Sequence, residues 1–326
     1  MVDLKNMNFN NNKLSPLKGD ASFRIFYRKR NKSRSSIIVY AKKEKTKNLL
    51  NYTSINKILL KKKISAPKLV FQNYKKNYIE IEDLGNKTIY EILKKNKKKE
   101  IFYSVLKTLV KLQKVKTKKI KNFKNRYYKI PTYSKNLLLK EANLFLEWYV
   151  PSIYKKKKYT INKKLKKIIK NLVNNLNLPN DTFVHRDFHV SNLMLNNKKI
   201  SVIDSQDAVY GNIAYDLASL IDDVRLKTSN NFKKNVYENY INLNKKKVNK
   251  VKFKNDFEIL SVLRNLKIIG IFTRLAIRDN KKKYLKLIPH AWKLIEYRIN
   301  NNNLFTELKK KLDISFPTKI RKKNES

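Results

Sequence analysis

Hydrophobic and polar positions change their rhythm along the chain near Gly85. Before it, ASFRIFYRKR (21–30) and SSIIVYA (35–41) crowd β-branched and aromatic residues into short runs around a polar NKS at 31–33. Such runs read as two strands and a turn. Residues 45–63 take a helical rhythm, with Leu49, Leu50, Ile55, Ile58 and Leu59 apolar. KLVFQNY (68–74) and YIEIEDL (78–84), entered at Pro67, predict a second hairpin. Beyond Gly85 helical periodicity dominates, over 88–98, 100–115, 136–150 and 161–176, then 214–226, 230–243, 253–279 and 283–297. Only NLML (192–195) and ISVID (200–204) interrupt it, as short strands around an NNKK turn. The pattern predicts an α+β chain: a small antiparallel β-rich part with one main helix, then a larger helical part. The expected divisions are a flexible start at 1–16, the β-rich part at 17–84, the helical part at 85–316 and a disordered polar tail at 317–326.

Composition adds a core and a charge. Apolar residues make up 41% of 326, with 19 Tyr and 15 Phe, so a substantial core is available. Lys and Arg number 77 against 25 Asp and Glu, a formal charge of +52. The lysines are spread along nearly the whole chain beside abundant Asn, Ile and Tyr, and arginine is scarce. The excess therefore reads as compositional rather than as a nucleic-acid footprint, although non-specific polyanion affinity at low salt follows from it. No specific nucleic-acid partner is expected. The absence of cysteine excludes disulfides, thiolate metal sites and a cysteine nucleophile. No apolar leader and no run of about 18 apolar residues is present, so a cytoplasmic, membrane-free protein is expected; a monomer is expected as well.

The chemistry concentrates in FVHRDFHVSNLML (183–195), which holds two of the three histidines, and in VIDSQDA (202–208). Phosphoryl transfer from ATP needs a carboxylate facing the acceptor hydroxyl, and hard oxygen ligands that hold Mg2+ on the triphosphate. It also needs cations against the phosphates. The kinase pattern H-R-D-x-x-x-x-N is met in full by His185, Arg186, Asp187 and Asn192. Asp204 then ends the apolar strand SVI, where the same pattern places a metal-binding aspartate. The strands between them form a hairpin that brings Asn192 and Asp204 to one Mg2+ ion. Asp187 is left facing the acceptor.

Details narrow the class. His189 stands two residues after Asp187, where protein kinases carry Lys or Arg, and Gln206 replaces the glycine of DFG. HRDFHVSN with GNIAYDLASLIDD (211–223) resembles the aminoglycoside and choline phosphotransferase group. That resemblance implies that Asp216 holds the catalytic loop through backbone hydrogen bonds and that His185 supports it. GDASFR (19–24), IEDLG (81–85), HRDFHVSNLM (185–194) and DSQDA (204–208) together resemble the bacterial anomeric kinases of N-acetylmuramate and N-acetylglucosamine, from about residue 17 to about 300. The implied fold is two-lobed and protein-kinase-like. The implied reaction takes ATP and an amino sugar to the sugar 1-phosphate.

By the same resemblance Asp20, Ala21 and Ser22 turn over the phosphates, with Arg24 either reaching a phosphate or lying solvated. Lys42 is a candidate for the strand-borne phosphate lysine, and Glu82, Asp83 and Leu84 form the adenine-facing hinge. His189 is a candidate for substrate contact or loop support. Asp207 has three candidate roles: metal, sugar or loop anchor. Trp148 and Trp292 fit either a core or a sugar platform. Rival readings are an aminoglycoside, choline or amino-alcohol kinase of the same group, and a catalytically silent scaffold or nucleic-acid-binding protein. The intact Asp187, Asn192 and Asp204 argue against the silent readings.

Overall fold

Strand β3 (Ser35–Tyr40) alternates its side chains between two faces and is buried on both at its middle. In this computed structural model, which describes residues 14–17, 24–30, 34–41, 47–96, 100–244 and 248–323, Ile37 and Val39 point to one face and Ile38 to the other. Five strands form an antiparallel sheet in the order β1-β2-β3-β5-β4, with β1 at Leu14–Leu17, β2 at Ile25–Arg30, β4 at Leu69–Asn73 and β5 at Tyr78–Glu82. Helix α1 (Lys47–Lys61) lays Leu49 and Tyr52 on Ile37, Val39, Ile79 and Ile81. Tyr78 packs with Ile38 on the opposite face. Residues 14–16, expected to be flexible, are strand instead: Leu14 pairs with Lys29 and Pro16 with Tyr27.

The chain divides into two compact units, and the division is not at Gly85. The first runs to Pro131 and takes back Val190–Val209. Besides the sheet and α1 it holds α2 (Ile89–Asn96), α3 (Ile101–Gln113) and a small hairpin of β6 (Lys119–Lys121) with β7 (Tyr127–Lys129). The returning segment adds a second hairpin, Leu193–Asn196 with Lys199–Val202. Asn197 and Lys198 both adopt positive φ, 47° and 61°, as a two-residue type I′ turn requires. Main-chain bonds from Val202 N to Ser65 O (2.9 Å) and from Leu195 N to Lys87 O (2.8 Å) dock this hairpin onto the unit.

The second unit, Thr132–His189 with Tyr210–Ser326, is mostly helical, with a short strand at Thr182–Val184 leading into the motif loop. The first helices are α4 (Lys135–Ala142), α5 (Val150–Ile153) and α6 (Lys158–Asn174), then α7 (Tyr215–Ile221) and α8 (Asn230–Leu243). Helices α9 (Lys250–Ile277), α10 (Ile288–Ile299), α11 (Thr306–Ser315) and α12 (Thr318–Arg321) complete it. A π-turn, Phe145–Tyr149, joins α4 to α5. Gly270 on α9 lies so close to it that an added Cβ would stand 2.3 Å from the Leu144 carbonyl carbon.

Trp292 is core, 1% exposed, packed against Phe145, Tyr149 and Phe316, with its Nε1 donating to the Tyr149 hydroxyl. Trp148 is partly buried. The tail expected to be disordered is helical at Thr318–Arg321, because buried Arg321 pairs with Glu296 and Asp313 and lies over the Trp292 ring. Among the described residues no helix is long and apolar enough to cross a membrane.

Candidate active site

In the helical unit a buried carboxylate organises the loop His185–His189. Asp216, in the first turn of α7, accepts from the backbone N–H of His185 (2.7 Å) through one oxygen and from that of Arg186 (3.0 Å) through the other. Burial pushes its carboxyl up to about 7, although both N–H groups pull the other way. Arg186 sits at φ 74°, a left-handed conformation that costs about 1–2 kcal/mol outside glycine. The loop is held in that shape from two sides: Asp216 takes its main chain, and Glu141 of α4 ion-pairs with the Arg186 guanidinium. Glu141 also takes Lys267 Nζ of α9 at 2.7 Å and a hydrogen bond from the Tyr133 hydroxyl.

This clamp presents Asp187 partly buried among cations. Burial acts to raise its pKa, but Lys267, His189, Arg264 and Arg186 outweigh burial and hold the carboxyl well below the usual carboxylate range. His189 closes the turn, its N–H donating to the Asp187 carbonyl at 3.0 Å. Burial and Arg225 bring its ring down to about 4, against the opposing pull of Asp223 and Asp187. His185 is fully buried, its ring edge-on to Phe188.

In the sheet unit the returning hairpin sets the other two residues of the motif. Its register pairs Leu193 with Val202, and the next bond runs from Ile203 N to Asn192 O at 3.1 Å. Asn192 and Asp204 therefore stand at the same end of one hairpin. Asp204 adopts φ 64°, which an aspartate tolerates better than most residues, and turns the chain out of the strand. Behind it Ser205 donates to Asn56 of α1 at 2.7 Å. Arg24, only 5% exposed, is not the solvated strand residue that was one of its candidate roles. Its guanidinium pairs with Asp204 and lies over the rings of Phe26 and Tyr52.

Asp207 is exposed at the end of this turn, within electrostatic reach of Tyr128 on β7. The oxygen set of Asn192 and Asp204 suits Mg2+, which is commonly held by one or two carboxylates while substrate phosphates and water complete its shell. No group of three or more His, Cys, Asp or Glu that could hold a metal occurs among the described residues.

At the turn after β5 Arg28 grips Asp83 with two bonds, 2.6 and 3.0 Å, and reaches Gly85 O at 3.2 Å. Asp83 in turn accepts from Gly85 N at 2.9 Å, and Gly85 takes φ 85°. Burial opposes ionisation of Asp83, yet the bonds from Arg28, Gly85 and Ser35 keep its pKa below the ordinary value. The Asp83 side chain thus caps the turn. Glu82 accepts from Lys68 N at 3.3 Å, and Leu84 is 8% exposed. Asp20, Ala21, Ser22 and Lys42 lie outside the described residues.

Glu141, Lys267, Arg264 and Asp223 escaped sequence reasoning. A signal was present for the two cations. They are the two charges in a largely apolar helical stretch, ILSVLRNLKIIGIF (259–272), one turn apart. Glu141 is the first acidic residue after Glu100.

Comparison with known proteins matches residues 13–246 to the family described as "Phosphotransferase enzyme family". The chain is 29% identical over 280 residues to the N-acetylmuramate/N-acetylglucosamine kinase of Neisseria meningitidis, covering 83% of this chain and 80% of that one. It is 26% identical to the enzyme of the same name from Pseudomonas aeruginosa, covering 90% and 86%. Among solved structures, amicoumacin kinase hAmiN superposes with a TM-score of 0.63 at 13% identity, covering 89% of this chain and 90% of that one. Choline kinase LicA from Streptococcus pneumoniae superposes at 0.59 and 12%, covering 86% and 93%. These structural likenesses are of fold, and the fold is the protein-kinase-like one.

Proposed function

Because the chain belongs to the phosphotransferase enzyme family, we propose that it moves the γ-phosphoryl group of ATP to the anomeric hydroxyl of N-acetylmuramate or N-acetylglucosamine. The observation that carries the reading is the clamped loop of Asp216, Arg186 and Glu141, which offers Asp187 as an ionised carboxylate beside Lys267. The two relatives named for these sugars, similar over four fifths or more of both chains, support the acceptor class.

Asp187 is too acidic to be a strong base. Its proposed work is to hold the acceptor hydroxyl in line and to take its proton late, as the new O–P bond forms and the bond to the β-phosphate oxygen breaks. ADP leaves, and the proton passes from Asp187 to solvent. Asn192 and Asp204 are proposed to hold Mg2+, which when bound neutralises charge on the triphosphate. Arg24, already beside Asp204, is proposed to face the phosphates. Asp20, Ala21, Ser22 and Lys42 join it there on resemblance alone, and the main chain of Glu82–Leu84 is proposed to meet the adenine. His189 and Asp207 are proposed on the acceptor side. ATP as donor places the proposed reaction in the cytoplasm.

The test is ADP release with ATP across N-acetylmuramate, N-acetylglucosamine, glucose, choline and kanamycin, with and without Mg2+, and with Asp187→Asn as blank. Turnover is expected on the N-acetylated sugars alone, dependent on Mg2+, with 31P NMR placing the phosphate at C1. Asp187→Asn is expected to lose at least about 10²-fold in kcat while still binding ATP. Turnover confined to choline or kanamycin would overturn the acceptor assignment. An Asp187→Asn enzyme as fast as the wild type would overturn the role of the loop.

A further inference from the structure

Helix α9 carries three polar residues one turn apart on the side it turns to α7 and the catalytic loop. Ser261 donates to Asp222, just beyond α7, and Lys267 pairs with Glu141. Arg264 lies between them. It is 4% exposed, yet no described residue accepts a hydrogen bond from it, and its Nη1 is buried without a partner. Its neighbours within electrostatic reach include Asp187, Asp216 and Asp223, and none of them closes an ion pair with it. Asp223, 1% exposed, likewise keeps its Oδ2 buried and without a partner, while its Oδ1 accepts from Arg225 N at 3.0 Å.

A guanidinium buried beside carboxylates but bonded to none of them is costly. Its planar fork of donors matches one further group well, a carboxylate arriving from outside. Its place on α9 one turn from Lys267, within electrostatic reach of Asp187, the group assigned to the acceptor hydroxyl, puts that carboxylate on the acceptor rather than on the nucleotide. We propose that Arg264 is a specificity-determining residue that binds a carboxylate carried by the acceptor sugar, and so separates an acidic amino sugar from its neutral counterpart. Asp223 Oδ2, the unpartnered acceptor in the same cluster, takes a hydroxyl or amide N–H of the same sugar. This assignment rests on the sugar-kinase reading above.

The experiment compares kcat/KM for N-acetylmuramate, which carries a lactyl carboxylate, with that for N-acetylglucosamine, which does not. It is run on the wild type, Arg264→Gln and Arg264→Lys, with the KM for ATP and a thermal melt for each. The ratio of the two kcat/KM values is expected to fall about 10- to 100-fold in Arg264→Gln, as loss of a charge-assisted bidentate bond implies. Arg264→Lys is expected to recover part of it. The wild type is expected to lose a similar factor on the methyl ester of N-acetylmuramate. That measurement stands even where a variant fails to fold.

An equal loss on both sugars, or a loss confined to the KM for ATP, would overturn the assignment and leave Arg264 as charge support for Asp187 or the phosphates. A wild type that phosphorylates neither sugar would sink the acceptor reading itself, which is a distinct result.

Discussion

His189 shows how far burial reshapes a single group. Its folded pKa of about 4 lies below the ordinary 6.5 because burial and Arg225 disfavour the charged ring. The fold therefore prefers the neutral form. The stability this confers is complete above pH 6.5 and is lost as pH falls from 6.5 towards 4, on the order of 3 kcal/mol across the window. Melts at pH 7 and pH 4.5 are expected to show a larger drop for the wild type than for His189→Gln. With three histidines in the chain, the NMR titration of this ring can be followed directly. A ring that protonates near 6.5 would contradict its burial among Asp187, Asp223 and Arg225.

At this scale much of the site was legible. Asp187, Asn192 and Asp204 belong to two short segments of fixed spacing, so the sequence names them as candidates by itself, and the hairpin that sets Asn192 and Asp204 at one end is announced by two apolar runs. Glu141 and Lys267 were not legible, because 126 residues separate them and only the packing of α4 against α9 makes them a pair.

Elements were legible where periodicity was long. Helix α1, the four longer strands of the sheet and the motif hairpin follow from runs of apolar residues with the right spacing. The hairpin of β6 and β7 did not, since KIK and YYK are three residues each in a lysine-rich stretch with little alternation to read. Helices α11 and α12 were missed because what fixes them, Leu308 and Leu312 packed inward and Arg321 over Trp292, is tertiary.

Gly270 gives a prediction for the contact between α9 and the π-turn. By helix propensity alone, Gly270→Ala should stabilise by about 1 kcal/mol. With the Leu144 carbonyl 2.3–2.4 Å from the new Cβ, it is expected to destabilise instead, by about 1–3 kcal/mol. Urea unfolding of the two proteins checks the sign. A more stable Ala variant would mean that α9 can retreat from Leu144 without loss.

For the molecule as a whole the dominant quantity is charge. A formal +52 on 326 residues means that folding gathers cations which the extended chain keeps apart. Added salt screens that repulsion over about 10 Å at 0.1 M. The melting temperature is therefore expected to rise by a few degrees between about 20 mM and 300 mM NaCl, a range in which screening changes most. A flat or falling curve would mean that surface ion pairs outweigh the repulsion.

The two-unit division holds a consequence for how the chain is made. The sheet unit takes back Val190–Val209, which carries Asn192 and Asp204 and is bonded to Ser65 and Lys87. A ribosome that has passed Pro131 has therefore not yet supplied what the first unit needs. At roughly 5–20 residues per second, several seconds go by before residue 209 emerges. In that interval the nascent chain holds an unfinished sheet unit, open to chaperones and proteases. Its order of completion is set by topology rather than by distance from the start codon.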